Sequence, residues 1–308
     1  MKTRLGIVGA GAIGCVVGGL LTKAGHDVTL IDQWPEHVET MRRRGLRLTG
    51  TCGDHTIAVS ALHLHEAQSI VEPFELLFIA VKSYDTEWAT RLGLQYLSDD
   101  GVVVDFQNGI NDHRVAAIAG AHRTLGCVIT IGAGMYEPGV AMRTDSGRLG
   151  FKIGEHDGRD TERAPLAGLS GLGTAECRTE PGARRIAIHL GAEVIGVGRA
   201  SGFEVEPPMG IAAQRYVDAA EGRGLEEVEA DLGRDATSRA GGRPSMLQDV
   251  MRGRRTEIDH LNGFVVEEGR RLGVKTPFNE QIVTLYRARG SRLSPDPANL
   301  EPLLEMLP

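Results

Sequence analysis

Three sets of residues in this 308-residue chain have types and spacings that could do chemistry. The first is Gly9, Gly11 and Gly14, a G-x-G-x-x-G pattern. Gly9 allows a tight turn, Gly11 lets the backbone approach a pyrophosphate, and Gly14 lets the following helix pack closely on a strand. A helix opening at Ala12 and Ile13 would offer free N–H groups and a partial positive charge to the same phosphates. Asp32 lies eighteen residues beyond Gly14. A carboxylate there can accept both hydroxyls of an adenosine ribose, and it would repel a 2′-phosphate. The second set is Lys82 and Asn108, each just past the carboxyl end of an apolar run, where doubly wound folds bind their ligands. The third is Ser245, in the S-x-x-Q form of a capping box with Gln248, together with Glu257 and Asn262. Periodicity alone reads Ser245 as a helix N-cap and Glu257 as a solvated charge.

The elements that must position these residues follow from the pattern. Leu5–Val8 and Val28–Ile31 read as buried strands on either side of the glycine turn. Pro35 opens a helix that ends with Arg42–Arg44 and stops at Gly45. Residues 46 to 62 suggest two strands joined by a Gly-Asp turn. Leu76–Val81, a helix over Thr86–Leu97 and a strand over Val102–Phe106 continue a β-α-β alternation. From 125 to 154 successive strands would extend the sheet with an antiparallel section. The polar stretch 154 to 164 marks a boundary, giving domains at 1–164 and 165–308. Beyond it, helices are expected over 183–201, 209–220, 246–271, 278–289 and 298–306. In the longest of them Leu247, Val250, Met251, Ile258, Leu261 and Val265 recur at helical spacing and would face a core. The expected class is α/β: an N-terminal Rossmann-like dinucleotide-binding domain and an all-helical C-terminal domain for substrate and dimerisation.

Net charge of −7 and a pI near 5.8 argue against nucleic acid or an anionic membrane as the main partner. No apolar run approaches membrane length, and the glycine-rich start belongs to the nucleotide fold rather than to a leader. Cysteines 15, 52, 127 and 177 are widely spaced and form neither C-x-x-C nor a disulfide framework, as in reduced cytoplasmic proteins. His63 and His65, the one close histidine pair, read as surface residues rather than metal ligands. A cytoplasmic location and no metal are expected.

Five segments together resemble the ketopantoate reductase (2-dehydropantoate 2-reductase) family. They are Gly9–Gly14, Val81-Lys82, Gln107-Asn-Gly109, Arg243-Pro-Ser-Met-Leu-Gln-Asp249 and Glu257-Ile-Asp-His-Leu-Asn-Gly263, and Gly273–Asn279 is similar to the family's closing segment. The resemblance implies reduction of a small-molecule 2-oxo acid by NADH or NADPH, and a homodimer. It assigns Asn108 to the nicotinamide and substrate, Ser245 to the substrate carboxylate, Glu257 to the substrate hydroxyl, and Lys82 to the cofactor. The family commonly has a basic or small residue where Asp32 stands, so Asp32 favours NADH.

The chain departs from the family in one place. The family's W-[ST]-K-L-x-x-N lysine protonates the carbonyl oxygen, and no such motif occurs here. The lysines are 2, 23, 82, 152 and 275, and 157–164 runs straight into Pro165–Gly171, as though about thirty residues (a helix, a strand and turns) were absent. Arg185, His189 and Glu193 share the i, i+4, i+8 spacing of the family's lysine and two asparagines. Arginine is a poor acid, with a pKa above about 12, which leaves Lys82, His189 or water as proton sources. Two other readings stay open: a non-redox isomerase, cyclase or lyase on the same fold, and a non-catalytic NAD-binding protein.

Overall fold

The computed structural model describes residues 3–145, 151–154, 176–205, 207–236 and 244–308. The chain divides into two compact units, residues 1–160 and 161–308. The expected boundary at 164 falls outside the described residues.

The first unit is built on strands β1 (Arg4–Val8), β2 (Asp27–Asp32), β3 (Leu46–Gly50), β4 (His55–Ile57), β5 (Ser60–His63), β6 (Phe74–Ile79), β7 (Leu97–Asp105), β8 (Thr124–Ile129), β9 (Ala133–Glu137), β10 (Val140–Arg143) and β11 (Phe151–Gly154). Helices α1 (Ala12–Lys23), α2 (Pro35–Arg44), α3 (Thr86–Leu94) and α4 (Asp112–Ala119) connect them. The main sheet has seven strands in the order β11-β8-β7-β6-β1-β2-β5. All neighbours are parallel except β11, which runs antiparallel to β8. Strand order reverses between β1 and β6, and the crevice at such a reversal is where a doubly wound sheet takes its ligand. Beyond Arg4 and Glu75 both strands are apolar because both faces are covered there: Ile7, Val8, Leu77 and Ile79 are at most 1% exposed.

Three expectations for this unit need correction. Residues 46 to 62 form three strands, not two. The hairpin turns at Gly53, which takes φ +87°, and is tied by the Arg47–Asp54 pair; β5 then leaves it to lie parallel to β2. The stretch from 125 to 154 does not wholly extend the main sheet. β9 and β10 instead join β3 and β4 in a separate four-stranded sheet, β4-β3-β10-β9. Alternation could not show this, because both sheets offer the same half-buried pattern. His63 is no surface residue either: it is 9% exposed, stacked on His65, and bonded through Nε2 to Glu39 at 3.1 Å. The flanking strands also extend further back than the apolar runs, and α3 ends at Leu94 so that β7 can begin at Leu97.

The second unit is helical among its described residues: α5 (Glu176–Thr179), α6 (Pro181–Ala200), α7 (Ala213–Ala220), α8 (Leu225–Ala236), α9 (Ser245–Met251), α10 (Asn262–Leu272), α11 (Pro277–Arg289) and α12 (Glu301–Leu304). α6 packs with α9 to α12 around Ile186, Leu190, Leu247, Ile258, Leu261 and Ile282. The single helix expected over 246–271 is two helices. Gly253 takes φ +62°, a conformation that ends a helix, and the chain turns through 252–261 before α10 starts. Met251, at the end of α9, is 54% exposed, and beyond the break the helical phase differs, so that Val266, not Val265, is the buried residue. Ser245 is not the cap. Pro244 holds that position, without a side-chain bond, and Ser245 is the first helical residue. α5 and α8 have no counterpart in the expected helices.

Candidate functional site

The glycine turn has the geometry a pyrophosphate needs. Gly9 takes φ +102°, and a Cβ there would lie 2.7 Å from the Ala80 backbone, so β1 and β6 approach at the sheet reversal only because the side chain is missing. At Gly14 a Cβ would fall 2.1 Å from the Gly9 carbonyl oxygen, which fixes how closely α1 sits on the turn. Gly11 is different. It is the N-cap of α1, and a Cβ there would meet nothing within 4 Å. Close packing therefore requires two of the glycines, while the third faces open space beside the first turn of α1. That arrangement of free N–H groups and room fits a phosphate group of a dinucleotide.

Asp32 ends β2 with both carboxylate oxygens oriented by the backbone. Oδ2 accepts from Ala10 N at 2.8 Å, inside the glycine turn, and Oδ1 accepts from Trp34 N at 2.8 Å. A fully buried histidine braces the same turn. Gly139 N donates to His37 Nδ1 at 2.8 Å, so the ring proton is on Nε2, which donates to the Ala10 carbonyl at 2.9 Å. Burial holds His37 below the ordinary histidine pKa, opposed by Asp32 and the Ala10 bond. His37 thus fastens the turn to the loop between β9 and β10, a link for which the sequence held no signal. The Cys15 thiol, buried beneath the same turn, is pushed up by burial and then by Asp32, which leaves it inert.

Lys82 and Asn108 sit on adjacent turns beyond β6 and β7. Ser83 Oγ donates to the Asn108 carbonyl at 3.0 Å, and Gln107 Nε2 donates to the Val81 carbonyl at 2.8 Å. The turns that carry the two predicted residues are therefore tied together by the side chains of their neighbours Ser83 and Gln107. Lys82 is half-buried and has partners of its own. The side-chain amide of Asn108 is half-buried and makes no hydrogen bond among the described residues.

In the second unit Glu257 is 2% exposed, so the solvated-charge reading of it was wrong. It lies on the turn between α9 and α10, where its carbonyl accepts from His260 N and Leu261 N. The hydroxyl of Ser245 has no hydrogen-bond partner among the described residues. Arg185, His189 and Glu193 do share one face of α6, and two of them are committed elsewhere. Arg185 Nε bonds Glu229 at 3.1 Å. Glu193 accepts from Phe278 N, Asn279 N and Asn279 Nδ2 at 2.8, 2.9 and 2.7 Å, satisfying the open N-terminus of α11. Burial raises its pKa, against the pull of those donors. Asn262 joins the chain by donating from Nδ2 to Asn279 Oδ1 at 2.8 Å. His189 stacks on Phe278 at 4.4 Å between ring centroids, and burial lowers its pKa, so the imidazole is neutral near pH 7. The stretch 157–171, where the sequence departs from the lysine-bearing pattern, lies outside the described residues.

Comparison with known proteins covers both units. Residues 5–158 match the family profile described as ketopantoate reductase PanE/ApbA, and residues 163–290 match that of its C-terminal part. The 2-dehydropantoate 2-reductase of Archaeoglobus fulgidus is 29% identical over 94% of this chain and 99% of its own. A PanE/ApbA family ketopantoate reductase from Ralstonia eutropha JMP134 superposes with TM-score 0.76 at 25% identity, covering 94% of this chain and 99% of that one. D-mandelate dehydrogenase, solved with NADH and anilino(oxo)acetate, shares the fold with TM-score 0.75 at 20% identity, over 94% of this chain and 99% of its own.

Proposed function

Because the chain belongs to the ketopantoate reductase family, we propose that it reduces 2-dehydropantoate or a closely related 2-oxo acid to the 2-hydroxy acid, using NADH. The observation that carries the reading is the open space at Gly11 beside an Asp32 carboxylate anchored to the same turn. Gly9, Gly11, Ala12, Ile13 and Gly14 would hold the pyrophosphate, and Asp32 the adenosine ribose. A carboxylate at that place repels the extra phosphate of NADPH, and this favours NADH. Bound there, the reduced nicotinamide would supply the hydride for the carbonyl carbon.

The chain's own residues do the rest. The unengaged amide of Asn108 can donate a hydrogen bond to the carbonyl oxygen of a 2-oxo acid and polarise it. Ser245, by the family resemblance, holds the substrate carboxylate, and its hydroxyl is uncommitted. Glu257, by the same resemblance, takes the substrate hydroxyl. Lys82, His189 or water would supply the proton for the carbonyl oxygen, and the lowered pKa of His189 leaves little of its imidazolium near pH 7. Absence of one positioned general acid typically costs about 10²–10⁴-fold, so turnover slower than in lysine-bearing enzymes is expected.

Loss of reduced-nicotinamide absorbance with 2-dehydropantoate and a panel of 2-oxo acids, run separately with NADH and NADPH, tests this. Faster oxidation with NADH supports it. No oxidation with either cofactor, by protein shown to be folded, overturns it.

A further inference from the structure

A polar node with almost no solvent exposure fills the space between the two turns that carry Lys82 and Asn108. Ser83 and Thr86 are 0% exposed, Asn111 1%, Asp105 3% and Gln107 5%. Its bonds form one connected set. Asn111 Nδ2 donates to Ser83 Oγ at 3.0 Å and to the Asn108 carbonyl at 2.9 Å. The Ser83 hydroxyl donates to that same carbonyl. Arg114 Nη1 donates to Asn111 Oδ1 at 3.0 Å and to the Ser83 carbonyl at 2.7 Å, which fixes the direction of the Asn111 amide. Thr86 Oγ1 bonds Gln107 Oε1 at 3.0 Å, and Gln107 reaches back to Val81. The Asn111 backbone N–H donates to the Asp105 carboxyl.

Asn111 occupies the N-cap position of α4 and does not cap it. Asparagine at an N-cap ordinarily turns its side-chain oxygen onto the helix's free N–H groups. Here that oxygen goes to Arg114, and the amide goes across to the β6 and β7 turns. A residue that gives up its local bonding for a distant contact is a sign that the contact matters to the molecule. The consequence falls on Asn108. Its carbonyl receives two donors from within the node, while its side-chain amide receives none. The backbone of Asn108 is therefore fixed, and its side-chain amide is left uncommitted among the described residues.

We propose that Asn111, together with Ser83, is a positioning residue for the reduction: it locks the Asn108 turn to the Lys82 turn, so that the Asn108 amide is already aimed before a 2-oxo acid arrives. This rests on the assignment of Asn108 to the substrate carbonyl. Preorganised donors act without rearrangement at the moment of reaction, and small misplacements are costly.

The test uses the full chain with Ser83→Ala, Asn111→Ala and Asn108→Ala, and each node change combined with Asn108→Ala. Ser83→Ala removes one oxygen and no carbon, so it keeps the fold if Asn111→Ala does not. Each node change should lower kcat about 10- to 100-fold with the KM for NADH moving less than about twofold. In the Asn108→Ala background the further fall should be under about twofold, because both act through one group. Hydrogen–deuterium exchange should quicken over residues 106–112 and stay unchanged over 5–15. Equal factors in both backgrounds, or unchanged exchange over 106–112, overturn the proposal. If the native protein reduces no 2-oxo acid, the functional reading fails, and the exchange comparison still decides whether the node holds the turn.

Discussion

The two openings at the carboxyl ends of the parallel strands are built by opposite means. At β1 and β2 the turn is made of backbone: glycines that let chain approach chain, and one carboxylate bound by two amide N–H groups. At β6 and β7 it is made of side chains, the buried Ser83, Thr86, Gln107 and Asn111 and the half-buried Arg114, whose bonds hold two turns together. The first can take a ligand that is much the same in every dinucleotide enzyme. The second must hold particular groups at particular places. Rigid backbone would suit the cofactor proposed for the first, and a tunable side-chain network the chemistry proposed for the second.

The glycine turn gives the sharpest way to break this contrast. Gly14→Ala drives a Cβ into the Gly9 carbonyl, and the strain should cost roughly 3 kcal/mol or more in thermal unfolding and abolish NADH binding. Gly11→Ala meets no protein atom. It should leave Tm within about a degree, since surface changes are usually within about 0.5 kcal/mol, yet raise the Kd for NADH at least about tenfold as the methyl takes the phosphate's place. A Tm loss in Gly11→Ala comparable with that in Gly14→Ala would erase the distinction between packing and ligand glycines. At the other opening, Ser83→Ala leaves two buried groups short of a bond and should cost about 1–3 kcal/mol, with NADH affinity unchanged in a fluorescence titration.

The smallest effect separates the two openings by pH. Burial, and then the nearby Asp112, raise the Asp105 pKa well above the ordinary value, against Asn111 N–H and Arg114. The folded protein holds this proton more tightly than the unfolded chain does. The stabilisation is therefore full below about pH 4 and is lost as pH rises through the folded pKa. Asp105→Asn should flatten this decline in a plot of Tm against pH. A slope unchanged by the substitution would show that Asp105 does not titrate in the node.

The sequence made the first opening legible because its parts are local. Gly9, Gly11, Gly14 and Asp32 fall within one β-α-β unit, where Gly9 and Gly14 answer to close packing, Gly11 to open space and Asp32 to the amides it binds. Lys82 and Asn108 could be found from their places after apolar runs. What holds them could not, because Ser83 and Asn111 are distant in sequence and meet only through the pairing of β6 with β7. The same limit hid the second sheet, in which β10 pairs with β3 across ninety-odd residues. In the helical unit a single conformational fact misled the periodicity. Gly253 breaks what reads as one long stripe, and it turns Glu257 from an expected surface charge into a buried group. His189 and Glu193 were recognisable as one face of α6, but the partners Phe278 and Asn279 were not.

The most direct test compares Gly11→Ala and Asn108→Ala in one steady-state experiment, with NADH and the best 2-oxo acid both varied. A crossed result is expected: Gly11→Ala raises the KM for NADH and largely spares kcat, whereas Asn108→Ala lowers kcat and largely spares the KM for NADH. Equal loss of NADH binding in both variants, with kcat spared in both, would contradict the division of the strand ends into a cofactor-holding opening and a reaction-holding one.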